Sequence, residues 1–328
     1  MAMQILWLVI GLALLVKGGD LFVSAAIRLA GFLRMPRVVI GSTLVSLATT
    51  TPELVVSVMA GGRGESGLAV GNAVGSCICN IALILGLTAA FRPVVVHPRA
   101  LRTPLIAMFG FGVLLFVMTV GLNLTRWQGA VLVAGGLIYF IFDFVQHMRN
   151  TKPAAVAEAR AIGQTIAGHS PWFQGRTGSS VQFLLGAGIV VVGSRFLVDA
   201  AVNLAGALGI PSIIIGLTVV AIGTSLPELV TAVTSSRKNV SDLAVGNVLG
   251  ANIVNLTLVV GAAAMLSDVS MRRATQMLNF PAMLAVFGLL LWMLLNNHQV
   301  SRKEGVGLLV AYIFYLCALV FLAAGMKQ

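Results

Sequence analysis

Charge is what this sequence has least of. Only 9% of its 328 residues are Asp, Glu, Lys or Arg, against a hydrophobic content of 58% and a mean hydropathy of +1.00. A soluble domain carries about a quarter of its residues as a charged coat, so a water-soluble fold is excluded. Short segments of alternating apolar and polar residues are missing too, which argues against a membrane β-barrel. The three cysteines supply no disulfide or metal framework: Cys77 and Cys79 lie in one apolar run, where a helix points their thiols to different faces, and Cys317 lies in the last. They read as small apolar filler. His97, His147, His169 and His298 fall in loops or at the ends of apolar runs, where they read as solvated, so an imidazole metal centre is not indicated. Phosphate-binding glycine loops and interleaved aromatic–basic patches are also absent. The net charge of +11 therefore points to membrane topology, not to nucleic acid.

What the sequence does have is apolar runs of about 20 residues separated by short polar punctuation, the mark of membrane-spanning helices. We expect an all-α polytopic membrane protein of ten transmembrane helices, over about 3–24, 37–60, 66–90, 103–121, 127–145, 179–203, 211–236, 241–266, 275–295 and 304–325. The first run lacks a basic leader and a small-residue cleavage site, so it reads as a retained helix and not a signal peptide. One long polar segment, 146–178, divides five spans from five; Thr151 and Pro153 are expected to open a short surface helix through Arg160 within it.

The two halves are related. Shifting the segment 36–86 by 175 positions lays it on 211–261 without a gap, and 22 of the 51 positions are identical. Pro52-Glu53-Leu54-Val55 meets Pro227-Glu228-Leu229-Val230, and Gly71-Asn72 meets Gly246-Asn247. An odd number of helices per half inverts the second copy in the membrane, a common plan for secondary transporters with a site at the repeat interface. The expected organisation is a first five-helix repeat over 1–145, a linker over 146–178 and a second repeat over 179–328. Placing the linker in the cytoplasm puts 14 basic loop residues inside against 5 outside, which leaves both termini outside. Only the Arg272-Arg273 loop argues the other way.

Glu53 and Glu228 lie well inside the second and seventh spans. A charged side chain at mid-bilayer costs roughly 2.5–3.5 kcal/mol on insertion scales, and neither glutamate has a basic neighbour in sequence. Their neighbours carry oxygen. Thr49 and Thr224 each precede a glutamate by four residues, and Thr50 and Ser225 by three, so on a continuous helix each acid is flanked by hydroxyls on its own side. Pro52 and Pro227 free a carbonyl one turn earlier, near Ala48 or Gly223. The third and eighth spans add Ser76 with Asn80, and Asn255; Asn72 and Asn247 are expected to orient helices. Two carboxylates among hydroxyl, amide and carbonyl oxygens suit a hard cation such as calcium or sodium; a polar contact that merely locks two helices is the plainer alternative. Lys17 with Asp20 and Arg195 with Asp199 have helical pair spacing and read as self-paired or snorkelling charges.

GSTLVSLATTTPEL followed by AVGNAVGSCICNIALILGL, and GLTVVAIGTSLPELVTAV followed by AVGNVLGANIVNLTLVVG, resemble the two alpha repeats of the calcium/cation antiporter superfamily, in its sodium/calcium exchanger branch. The resemblance implies a secondary-active antiporter of a bacterial or archaeal inner membrane that exchanges calcium for sodium by alternating access, with spans one and six moving past a fixed core. It implies that Glu53 and Glu228 bind calcium and also serve sodium sites. Thr49, Thr50, Thr224 and Ser225 would supply sodium-site oxygens, Ser46 and Ala221 backbone carbonyls, and Ser76, Asn80 and Asn255 the remainder of the cage. The sequence departs from some relatives at Ala251 and Asn255, where they carry serine and aspartate. With two carboxylates, calcium makes the site neutral and three sodium ions leave one net positive charge, so exchange would respond to voltage at about 2.3 kcal/mol per charge per 100 mV. A proton- or potassium-coupled calcium exchanger and a passive cation channel remain open alternatives. No enzymatic chemistry, cofactor, nucleic acid or protein partner is implied beyond the transported ions and the lipid bilayer.

Overall fold

The computed structural model of the chain describes residues 2–62, 66–95, 98–150, 175–208, 221–271, 273, 275–297 and 299–325. Helix α1 (Ala2–Leu33) is followed by a bent pair, α2 (Arg37–Thr49) and α3 (Thr51–Gly62). Helix α4 runs through Ser66–Ile78, a π-helical stretch Cys79–Leu85 and Gly86–Phe91. Strand β1 (Val94–Val95), α5 (Pro98–Met118), β2 (Asn123–Leu124) and α6 (Arg126–Asn150) complete the first half. The second half holds α7 (Gly175–Ala207), the short α8 (Ala221–Thr224) and α9 (Leu226–Arg237). Helix α10 follows, through Ser241–Val254, the π-helical Asn255–Val259 and Val260–Leu266. Then come β3 (Val269–Ser270), α11 (Thr275–Asn279 continuing as Phe280–Asn297), β4 (Gln299–Val300) and α12 (Arg302–Gly325). Among the described residues, eight helices are long and apolar enough to cross a membrane, and the α2/α3 pair makes a ninth span. The expected span 211–236 is described only from Ala221 onward, and the expected helix over 151–160 lies outside the described residues.

Helix α1 runs about two turns beyond the expected 3–24. Its apolar run continues to Leu33, where Arg34 turns into left-handed backbone at φ 56° and Pro36 bars a further helical turn. The extra turns carry Arg28 to α7, where its guanidinium donates to Ser179 Oγ at 3.1 Å and to Gln182 Oε1, so the charge inside the long helix is satisfied. Asp20, expected to pair with Lys17 on its own helix or to snorkel, lies 3.4 Å from Lys238 Nζ at the end of α9. Both ends of the expected linker are helical, since α6 reaches Asn150 and α7 begins at Gly175.

Four two-residue strands form two ribbons: Val94 pairs with Val300, and Leu124 with Val269. Val94 and Val269 stand 175 positions apart, the offset that relates the two sequence repeats, so each ribbon is the counterpart of the other. One follows α4 and precedes α12; the other precedes α6 and follows α10. Helices α4 and α10 are the most enclosed of the long helices, whereas α12 mostly faces outward. Helices α1 and α7 pack chiefly on each other, with Gly11 and Gly193 meeting backbone to backbone. Helix α10 lies equally close to α2: a Cβ on Gly246 would collide with the Val38 carbonyl oxygen. In a bilayer, where hydrophobicity does not drive helix association, such close approach supplies the packing energy.

Candidate ion-binding site

The site begins where two helices break. Between α2 and α3 the axis bends by 46° at Thr50, whose backbone sits at φ −84°, ψ 4°. Ser225, 175 positions on, separates α8 from α9 with φ −90°, ψ 9°. Pro52 and Pro227 follow each break by two residues and donate no backbone hydrogen bond. Local bonds knit the first break: Thr50 N donates to Ser46 O at 2.9 Å, Leu54 N to Thr50 O at 3.1 Å, and Thr51 Oγ1 to Leu47 O at 2.9 Å.

The breaks rearrange the expected partners. Glu53 and Glu228 are 1% and 0% exposed. Thr50 Oγ1 donates to Glu228 Oε1 at 3.0 Å, and Ser225 Oγ to Glu53 Oε1 at 3.5 Å. Each hydroxyl serves the carboxylate of the other half, not the one on its own helix. The helical spacing rule that placed Thr50 beside Glu53 assumes an unbroken helix, and the backbone at Thr50 leaves the helical path. Thr49 stands beside Glu228 and donates to Asn247 Oδ1 at 3.1 Å. No lysine, arginine or histidine forms an ion pair with either glutamate among the described residues.

The remaining expected residues divide by how their polar atoms are used. Ser76 Oγ is buried with no hydrogen-bond partner. Asn80 Nδ2 donates to Asn252 Oδ1 at 2.9 Å, leaving Asn80 Oδ1 buried and unpartnered; both amide atoms of Asn255 are in that state too. Ser46 turns its hydroxyl back to Ser42 O and Thr43 O, and its carbonyl accepts from Thr50 N and Thr49 Oγ1, so that oxygen is already engaged. Ala221 opens α8 and Thr224 closes it; this segment packs against the Ser66–Ile78 part of α4, which carries Ser76. Glu53 Oε2 and Glu228 Oε2 are likewise buried without partners. Buried polar atoms are almost always satisfied. Two carboxylate, one hydroxyl and two amide oxygens are left open here, oxygen types that suit a hard cation. No cluster of three or more His, Cys, Asp or Glu residues that could hold a metal ion exists among the described residues.

Two residues escaped the sequence reading. Asn252 has no counterpart in the repeat, because Cys77 occupies the matching position. Asp143 is a third fully buried acid, on α6; the rule that singled out the glutamates applies to it, but it is not duplicated. Its Oδ1 lies 3.3 Å from His147 Nδ1, and Ser42 Oγ is 3.5 Å from its Oδ2. His147 is therefore not a solvated histidine: its side chain is 16% exposed and held against Asp143. His97, His169 and His298 lie outside the described residues.

The family described as "Sodium/calcium exchanger protein" matches residues 3–146 and 178–321. The inner membrane protein YrbG of Escherichia coli is 36% identical over 322 residues, covering 96% of each chain. Sodium/calcium exchanger MaX1 of Methanosarcina acetivorans is 30% identical, covering 96% of this chain and 98% of its own. A solved structure of the sodium-calcium exchanger NCX_Mj superposes with a TM-score of 0.81 at 27% identity, covering 97% of this chain and 98% of that one.

Proposed function

The chain belongs to the sodium/calcium exchanger family, and we propose that the pocket between Glu53 and Glu228 is where its exchange of calcium for sodium takes place. The observation that carries this reading is the pair of buried, unpartnered carboxylate oxygens, Glu53 Oε2 and Glu228 Oε2, tied across the two halves by reciprocal hydroxyl donors. A site holding two negative charges and no resident cation is costly in a bilayer. Calcium neutralises it, and so do two sodium ions, with a third adding net charge. Either load satisfies the acids, and neither the pocket nor its walls need to change identity between them.

Ser76, Asn80 and Asn255 complete the cage with neutral oxygens, and Thr49, Thr50, Thr224 and Ser225 supply hydroxyls at the helix breaks. Ser46 and Ala221 lie in the turns before the breaks, and their backbone carbonyls would add sodium-site oxygens, that of Ser46 beside the two hydrogen bonds it already accepts. We take 1–145 and 179–328 as two inverted halves joined by the segment 146–178 in the cytoplasm, with both termini outside. The α1/α7 pair, which packs mainly on itself, is suited to slide as a unit against the core that carries the acids, opening the pocket to one side at a time. The protein then resides in the plasma membrane of a prokaryotic cell, with calcium and sodium as its substrates.

Proteoliposomes loaded with sodium, potassium or protons and offered calcium-45 test the reading. Uptake driven by an outward sodium gradient is expected. Calcium uptake with no counter-ion gradient would indicate a channel, and uptake driven only by protons or potassium would replace sodium as the coupling ion.

A further inference from the structure

Asn80 has an amide, and only one end of an amide can bind a cation. The structure contains a device that decides which end. Asn252, on α10, is buried with 0% exposure. Its Nδ2 faces the Cys77 carbonyl oxygen at 3.5 Å and the Met108 sulfur at 3.4 Å. A backbone carbonyl and a thioether accept hydrogen bonds and cannot donate them, so the NH2 end of Asn252 must point there. Its Oδ1 is thereby turned to Asn80 and accepts from Asn80 Nδ2 at 2.9 Å. Asn80 in turn has its NH2 committed, and its Oδ1 is left buried and open. A flipped Asn80 would set oxygen against oxygen at Asn252 and present two N–H groups to the site.

We propose that Asn252 is a positioning residue for the ion site, fixing the amide of Asn80 with its oxygen toward the cation. This rests on the reading of the Glu53–Glu228 pocket given above. The other half lacks the device. The residue matching Asn252 is Cys77, whose thiol donates to Asn252 O at 3.7 Å, and both amide atoms of Asn255 stand without partners. One amide of the cage is preset and the other is left to turn to whichever ion arrives. Presetting matters because a ligand that must be reoriented on binding weakens affinity by the cost of that reorientation.

The test is a double-mutant cycle on calcium binding to the purified full-length protein, followed by calorimetry in detergent. Asn252→Leu is expected to weaken calcium binding about tenfold, the scale of one ordered polar ligand. In an Asn80→Ala background nothing remains to be oriented, so Asn252→Leu should add no further loss. In an Asn80→Asp background a carboxylate oxygen faces the ion in either orientation and the other faces Asn252 Oδ1, so Asn252→Leu should cause no loss there and should relieve that oxygen–oxygen contact. Equal losses in all three backgrounds, or no loss in the native background, overturn the proposal. If the leucine variant does not fold, Asn252→Ser, too short to span Cys77 and Asn80, runs the same cycle. Glu53→Gln separates the two readings. Undiminished calcium binding in that variant sinks the pocket itself. Lost binding there, with Asn252→Leu unaffected, sinks only the orienting role.

Discussion

Thr50 and Ser225 stand 175 residues apart, break their helices with nearly the same backbone angles, and donate across the pocket to each other's glutamate. Asn80 and Asn255, separated by the same interval and both in π-helical stretches, differ in their hydrogen bonding. Asn80 is held by a neighbouring amide, while Asn255 has both its polar atoms free of partners. Ser76 likewise faces an alanine, Ala251, at the matching position. The contrast shows which features of the duplication are tied to charge. If the pocket holds a cation as proposed, the two acids must stay together whatever that ion is, and the helix breaks that bring them together stay with them. Neutral ligands can drift apart, because each contributes less and either half can supply the missing oxygen.

The strongest way to break this picture is to remove one acid at a time. Glu53→Gln and Glu228→Gln should each lower sodium-driven calcium-45 uptake at least a hundredfold, since removing a charged ligand forfeits about 3 kcal/mol or more of interaction with a buried cation. Both variants should elute as the native protein does on size exclusion. If one of them keeps near-native exchange, the two acids are not equivalent and the shared pocket is wrong.

Next come the hydroxyls. A hydrogen bond to a charged group contributes about 1.5–3 kcal/mol, and the donor from Thr50 is shorter than the one from Ser225, at 3.0 against 3.5 Å. Thr50→Val should weaken calcium transport about tenfold, and Ser225→Ala by a few-fold. The reverse order in measured KM would show that distance to the glutamate does not govern the hydroxyls' contribution.

Smaller still is the effect expected of Asn255→Asp, which adds a third carboxylate to the unpinned side. Sodium dependence should move to about threefold lower concentration, as an extra charge favours the load with more positive charge. Initial uptake rates over a sodium series check this. No change in either sodium or proton dependence would place Asn255 outside the cage.

The two glutamates were legible in the sequence because a charge in mid-span is expensive in any surroundings, and finding it twice in register leaves little room for accident. Their hydrogen-bond partners were not legible. The spacing of Thr49 and Thr50 from Glu53 is informative only along an unbroken helix, and the break at Thr50 is set by a backbone conformation that Pro52 permits but does not dictate. Asn252 stayed hidden for another reason: matching the repeats highlights positions that agree, and this one reads cysteine in the other half. The helix lengths erred in one direction. Hydropathy locates the most apolar stretch, whereas α1 and α7 continue beyond it, with Arg28 satisfied by Ser179 and Gln182.

Asp143 sharpens the comparison from the other end. It is as buried as the glutamates, yet it sits beside His147 and Ser42, and a shift of 175 positions from it lands on Ala318. An acid with local partners on one half alone has the features of a structural tie, so its replacement should divide differently from theirs. Asp143→Asn keeps the shape and a hydrogen-bonding carbonyl, and calcium KM should stay within about twofold of native, since hydrogen bonds replaced in kind cost little. Asp143→Leu strips the acceptor from buried neighbours at a cost of about 1–3 kcal/mol, which should appear as a lower melting temperature of the purified protein with KM little altered. A tenfold loss of calcium affinity in Asp143→Asn, with melting unchanged, would instead make this third acid part of the ion's route and end the distinction between the paired and unpaired carboxylates.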